Sequence, residues 1–258
     1  MAPNAGPEMN STRWLDLGAI TLAAAIALGI AGISRPEVVT TPYSTSSSVR
    51  EDHAPPDTRP LALFIGDSYT AGESSAELSY ACRAALRMGW LCALSAVGGT
   101  GYISGGPANR WDDPYTGKSL SFIERIPGLS AKYDPDLVVL DGGRNDDFAP
   151  RTYAFEETVS TLGEVRRAWP RAQIVFVRPR FLDDPTDDLG MTDEFMARLK
   201  ATPDAKGVIF IDPLSTLSGT DTSDLLASDK IHPNAEGEKR ILAALIEALQ
   251  TRNVRPPS

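Results

Sequence analysis

Five short apolar runs, Leu61 to Ile65, Leu91 to Val97, Leu137 to Leu140, Ile174 to Val177 and Val208 to Ile211, recur along residues 61–258 with longer stretches between them. Short runs of this kind mark strands buried on both faces, and long connections between them suit a parallel sheet joined by helices. The connections agree. Helical spacing runs through Ala76 to Met88, Phe155 to Trp169 and Asp193 to Lys200, and the chain closes on Ala235 to Leu249. In that last segment Ile241, Leu245 and Ala248 fall at i, i+4 and i+7, one apolar face, and Asn234 stands where an N-cap belongs. The pattern predicts one α/β/α domain over 61–258, with helices on both faces of a five-stranded parallel sheet. In such sheets the ligand site lies beyond the carboxyl ends of the strands, at a topological switch point.

Charge and residue counts exclude several kinds of function. Against 25 Lys and Arg stand 34 Asp and Glu, a net charge of −9, which disfavours a nucleic-acid partner engaged through a basic surface. Two cysteines and two histidines cannot build a disulfide-dense scaffold or an all-cysteine zinc site, and they leave little for a histidine metal centre. No metal is expected.

The amino-terminal region has a different character. Residues 17–34, LGAITLAAAIALGIAGIS, carry no charge and lie between Asp16 and Arg35. Eighteen residues of helix at about 1.5 Å each reach roughly 27 Å, close to the hydrocarbon thickness of a bilayer. A cleavable signal peptide would rest its basic region on Arg13 alone, and no clean A-x-A site follows. The segment reads as an uncleaved, single-pass transmembrane signal anchor behind an N-terminal tail, residues 1–16, with the domain of residues 61–258 outside the cytoplasm. Residues 35–60, rich in Pro, Ser and Thr, read as a linker, and His53 within it is assigned no role.

Four blocks follow the expected strands. Gly66-Asp67-Ser68-Tyr69-Thr70 comes after the first, Gly98-Gly99-Thr100-Gly101 after the second and Gly142-Gly143-Arg144-Asn145-Asp146 after the third, while Asp229-Lys230-Ile231-His232-Pro233 precedes the final helix. In order and spacing they resemble the SGNH (GDSL) hydrolase family across residues 61–258. The resemblance implies a flavodoxin-like sheet of order 2-1-3-4-5 and an acyl-ester hydrolase or transacylase that needs no metal or organic cofactor.

The chemistry of the residues points the same way. A serine hydroxyl becomes a useful nucleophile when an imidazole takes its proton, and His232 is the only histidine in residues 61–258. Asp229, three residues earlier, can accept the Nδ1 proton and leave Nε2 facing Ser68. By resemblance the oxyanion hole comprises the Ser68 N–H, a glycine N–H and the Asn145 side chain. Gly99 is the glycine chosen, with Gly98 second.

The same residues admit rival readings. Ser68, Asn145 and Asp229 could be turn or capping residues and His232 a packed histidine, making the domain a tethered, non-catalytic binding module. The same site could pass an acyl group to a sugar or other alcohol, or remove acetyl groups from a glycan. Gly99 to Ser104 follows a strand like a dinucleotide fingerprint but has Ser at the third glycine. Asp112 to Ser119 ends like a phosphate loop but has Asp at the first glycine and no preceding strand. The acidic run Leu182 to Asp188 lacks the spacing of a calcium loop. Cys82 and Cys92 either pair, if the domain is outside the cytoplasm, or stay as two buried thiols. Tyr69, Tyr102 and Trp111 are candidates to line the pocket. The expected substrate is a small-molecule, glycan or lipid acyl ester, with membrane contact through the N-terminal helix.

Overall fold

Alternate residues of each strand point to opposite faces, so a run that is apolar throughout must be covered twice. The computed structural model, which describes residues 57–72, 75–113 and 117–255, shows that covering. Strands β1 (Leu61–Gly66), β2 (Leu91–Ala96), β3 (Leu137–Asp141), β4 (Gln173–Val177) and β5 (Ile209–Ile211) form one parallel sheet in the order β2-β1-β3-β4-β5. This is the 2-1-3-4-5 order expected.

Six helices complete the described domain: α1 (Ser68–Ala71), α2 (Tyr80–Arg87), α3 (Phe122–Ser130), α4 (Arg151–Ala168), α5 (Asp193–Lys200) and α6 (Ala235–Thr251). On one face Ala62, Phe64, Val139 and Val175 pack with Ala81 and Ala85 of α2 and with Ile241, Leu242 and Leu245 of α6. On the other, Leu63, Ile65, Val138, Leu140 and Phe176 pack with Phe122 and Ile126 of α3, Leu162 and Val165 of α4, and Phe195 and Leu199 of α5. Each fully buried aliphatic side chain contributes about 1.5–3 kcal/mol, so the two layers of core fix which helix lies on which face.

Helix boundaries follow caps more than periodicity. The helix expected from Ala76 begins at Tyr80, because the Ser79 side chain accepts the Cys82 N–H at 3.2 Å and residues Ala76–Leu78 form a separate 3-10 turn. The helix expected from Phe155 starts four residues earlier, directly after Pro150. Asn234 caps α6 as expected, accepting from the Glu236 and Gly237 N–H groups at 2.9 and 3.0 Å. Helix α3 was not expected, since Pro127 and Gly128 lie inside it. Burial of Phe122 and Ile126 outweighs a proline penalty of about 3 kcal/mol.

The phosphate-loop-like stretch is a two-residue hairpin, Asp112–Asp113 against Gly117–Lys118, with residues 114–116 outside the described residues. Cys82 of α2 and Cys92 of β2 form a disulfide with a Cα separation of 5.3 Å. The apolar stretch 17–34, His53 and most of the linker lie outside the described residues. Among the described residues no helix is long and apolar enough to cross a membrane.

Beneath the carboxyl end of the sheet sits a buried guanidinium. Arg144 donates to both carboxylate oxygens of Asp67 at 3.2 and 3.1 Å, to Asp141 Oδ1 at 3.1 Å and to the Arg180 carbonyl at 2.9 Å. Tyr80 donates to the other Asp141 oxygen at 2.5 Å. Burial raises the Asp67 carboxyl above its ordinary value, against the opposing charge of Arg144 and with the like charge of Asp141. Despite its own desolvation, Arg144 is held well above its ordinary pKa by Asp67 and Asp141. Replacing Arg144 by Met leaves both carboxylates without their cation and should cost about 3–5 kcal/mol in urea denaturation. A loss below about 1 kcal/mol would contradict this role.

Candidate active site

Strand β1 ends at Gly66, and the chain turns at once into the single turn of α1. Gly66 is required there: a Cβ would lie 2.1 Å from Thr70 Oγ1, which itself donates to the Asp141 carbonyl at 2.8 Å. Asp67 caps α1 by accepting the Tyr69 N–H at 3.0 Å. Ser68 is thereby the first helical residue, presented beyond the sheet's carboxyl edge, where the switch between β1 and β3 was expected to place a site.

The histidine is carried on the loop before α6. Lys230 has φ +62°, and Asp229 Oδ1 accepts the N–H groups of Ile231 and His232, both at 3.0 Å. These bonds hold the loop so that His232 Nε2 lies 2.8 Å from Ser68 Oγ and Nδ1 lies 2.6 Å from Asp229 Oδ2. The hydrogen bond from His232, with the two backbone bonds, holds the Asp229 carboxyl well below the usual carboxylate range. Asp229 is therefore ionised and can only accept, which puts the imidazole proton on Nδ1 and leaves Nε2 as acceptor for the serine hydroxyl. The two side chains keep 36% and 46% of their surface exposed, so the pair faces solvent.

A cavity of about 280 Å³ opens beside them, lined by Ser68, Ala71, Gly72, Gly98, His232 and Glu238 among others. Asn145 is brought to the same edge by the turn after β3, with Nδ2 donating to the Thr100 carbonyl at 2.9 Å. A primary amide has a second N–H, which that bond does not use. The glycine turn after β2 supplies two neighbours. Gly98 is on the cavity wall, where a Cβ would stand 3.6 Å from Ser68 Cβ, and Gly99 has φ +74° with the Trp111 ring 3.3 Å from its would-be Cβ.

Four charged residues that sequence reasoning passed over hold these blocks in place. Arg144 and Asp67 have been described. Asp146, fully buried, accepts the N–H groups of Tyr102, Ile103 and Ser104 at 2.8, 3.1 and 2.8 Å, and Gly101 leaves it room. Burial pushes its carboxyl up while those three bonds pull it down. Arg125 of α3 donates to the carbonyls of Ser95 at 2.6 Å and Gly66 at 3.1 Å, tying the ends of β2 and β1 together, and burial lowers its pKa to about 10.

Two pocket candidates prove to be core. Tyr69 and Tyr102 are each 1% exposed, and Trp111 covers the glycine turn. The acidic run is a loop wrapped on a cation the chain already supplies: Arg180 donates to the carbonyls of Pro185 and Thr186 at 2.9 and 3.1 Å and to Asp212. Among the described residues, no group of three or more His, Cys, Asp and Glu is arranged to hold a metal ion.

Residues 64–240 match the model of the GDSL-like Lipase/Acylhydrolase family. The GDSL lipase Rv0518 of Mycobacterium tuberculosis is 27% identical over 194 residues, covering 70% of this chain and 77% of the relative. The esterase EstA from a Pseudoalteromonas species shares the fold at 15% identity, with a TM-score of 0.55 over 74% of this chain and 97% of that one. Est24, a carbohydrate acetylesterase from Sinorhizobium meliloti, does so at 17% identity, with a TM-score of 0.56 over 75% and 99%. With more than half of its length matched by the family model, the chain belongs to the GDSL-like lipase/acylhydrolase family and is a hydrolase of that type.

Proposed function

We propose that the protein is a serine esterase that cleaves carboxylic acyl esters through an acyl-enzyme on Ser68. One observation carries this reading: the unbroken chain from Asp229 through His232 to Ser68 Oγ, with links of 2.6 and 2.8 Å, opening on a cavity. A degenerate binding module would have no need of it.

In the first half-reaction Ser68 Oγ bonds to the ester carbonyl carbon while His232 Nε2 takes the hydroxyl proton. The tetrahedral oxyanion is met by the Ser68 N–H, by the second N–H of Asn145 and by a peptide N–H of the glycine turn, assigned to Gly99 on the family pattern. The ester C–O bond then breaks, and the departing alkoxide takes the proton from Nε2. In the second half-reaction water loses a proton to Nε2 and attacks the acyl carbon, and Ser68 leaves with that proton. Asp229 stays ionised throughout, orienting the ring and stabilising the imidazolium.

The small residues Ala71, Gly72 and Gly98 around a 280 Å³ cavity suit a short acyl group. Two carboxylates on its wall, Asp229 and Glu238, disfavour an anionic ester and suit a hydroxylated alcohol portion. That last observation favours a second reading, removal of short acyl groups from a glycan by the same residues, the kind of ester that Est24 is named for acting on.

The apolar stretch 17–34 anchors the chain to a membrane as a single pass, with the domain outside the cytoplasm. The Cys82–Cys92 disulfide supports only the placement of the domain outside the cytoplasm, because structural disulfides persist in oxidising compartments.

Hydrolysis of p-nitrophenyl acetate tests the site. Ser68→Ala and His232→Ala should each abolish turnover, His53→Ala should leave it unchanged, and Asn145→Ala should lower kcat by about 10²–10³ with a smaller effect on KM. Adding an acceptor alcohol separates hydrolysis from transfer, since a transacylase yields the new ester. Substantial activity in His232→Ala would overturn the mechanism. A second experiment concerns the anchor: the full chain should sediment with membranes and resist alkaline carbonate, and uncleaved full chain in the soluble fraction would refute it.

A further inference from the structure

The proposed relay faces a positional problem. His232 lies on a solvent-facing loop, its side chain 36% exposed and the neighbouring Ile231 49% exposed, with the Tyr69 ring 5.9 Å from its own, centre to centre. The nucleophile, by contrast, is on a turn anchored in the core. Something must set the distance between them, 164 residues apart in sequence.

One group bridges the two directly. Tyr69, the residue after Ser68, donates its hydroxyl to the Ile231 carbonyl at 2.6 Å, and Ile231 is the residue before His232. The same oxygen accepts the Leu182 N–H at 3.0 Å from the loop after β4. The peptide joining Ile231 to His232 is therefore gripped at both ends, its carbonyl by Tyr69 and its N–H by Asp229. The grip is rigid on the Tyr69 side: the ring is 1% exposed, with the Arg144 guanidinium 4.5 Å from its centroid and Phe181 packed edge-on at 5.9 Å. Burial also pushes the Tyr69 hydroxyl up to about 12, so it remains a donor through the neutral range.

We infer that the Tyr69 hydroxyl is a positioning group that latches the histidine loop to the nucleophile turn and so sets the Ser68–His232 distance. The inference rests on the esterase reading above. It assigns Tyr69 no contact with substrate. Its function is geometric: a displacement of about 1 Å between reacting groups can cost on the order of 10² in rate.

Tyr69→Phe keeps the ring between Arg144 and Phe181 and removes only the hydroxyl. In the full chain, hydrolysis of p-nitrophenyl acetate by this variant should show kcat lowered by about 10- to 100-fold with KM within about 2-fold of the parent. The low-field proton resonance of His232 Nδ1–H, observed after ¹⁵N-histidine labelling, should shift or broaden, which loss of general stability in a still-folded protein would not produce. An unchanged kcat or an unchanged resonance in Tyr69→Phe overturns the latch. Ser68→Ala separates the two claims: if it retains turnover, the esterase assignment falls, whereas the resonance reports on the latch without any turnover.

Discussion

A buried guanidinium shared by two carboxylates underlies everything else at the site. Arg144 arises from the turn after β3, Asp141 from the end of β3 and Asp67 from the turn after β1, so their contacts weld two neighbouring strand ends at the point where helices leave the sheet in opposite directions. Such a cluster adds little net stability once desolvation is counted, but it is costly to break and therefore selects one arrangement of its members. That arrangement makes Asp67 the cap of α1 and so puts Ser68 at the first helical position. Tyr69 then lies with its ring against Arg144 and its hydroxyl toward the histidine loop.

The site is thus built in layers of decreasing burial. The ion cluster is dry, the glycine turn after β2 and the strand end before it are held by Asp146 and Arg125, and His232 and Asp229 stand at the water's edge. The layering fits the chemistry. In the proposed mechanism, oxyanion donors gain from being fixed before charge develops, while the acid–base group must meet water in the second half-reaction and an alcohol in the first. A loop held by hydrogen bonds to its backbone, with its side chains free to solvent, meets both needs.

Much of this was legible in the sequence, for identifiable reasons. Strands buried on both faces announce themselves as apolar runs, and the ends of all five lie within one residue of expectation, β1 closing at Gly66 and β2 at Ala96. Ser68, Asp229 and His232 were legible as candidates because they stand in the motif blocks that carry the family resemblance, and because residues 61–258 contain one histidine. What was not legible was burial of charge. Arg144, Asp67 and Asp146 stand in glycine-rich turns, where charged residues ordinarily meet solvent, and no periodicity distinguishes a guanidinium sealed under a sheet from one in water. Helix α3 was hidden by Pro127, and the placing of Tyr69 and Tyr102 in the core by the same ambiguity: aromatics beside a motif can face a pocket or the interior.

The central claim is that Ser68 is a nucleophile activated by His232, and the most direct measurement is covalent. The protein treated with a fluorophosphonate probe and digested for mass spectrometry should carry one adduct, on Ser68, formed far more slowly in His232→Ala. An adduct on a different serine, or ester hydrolysis by protein that takes up no probe, would contradict the account.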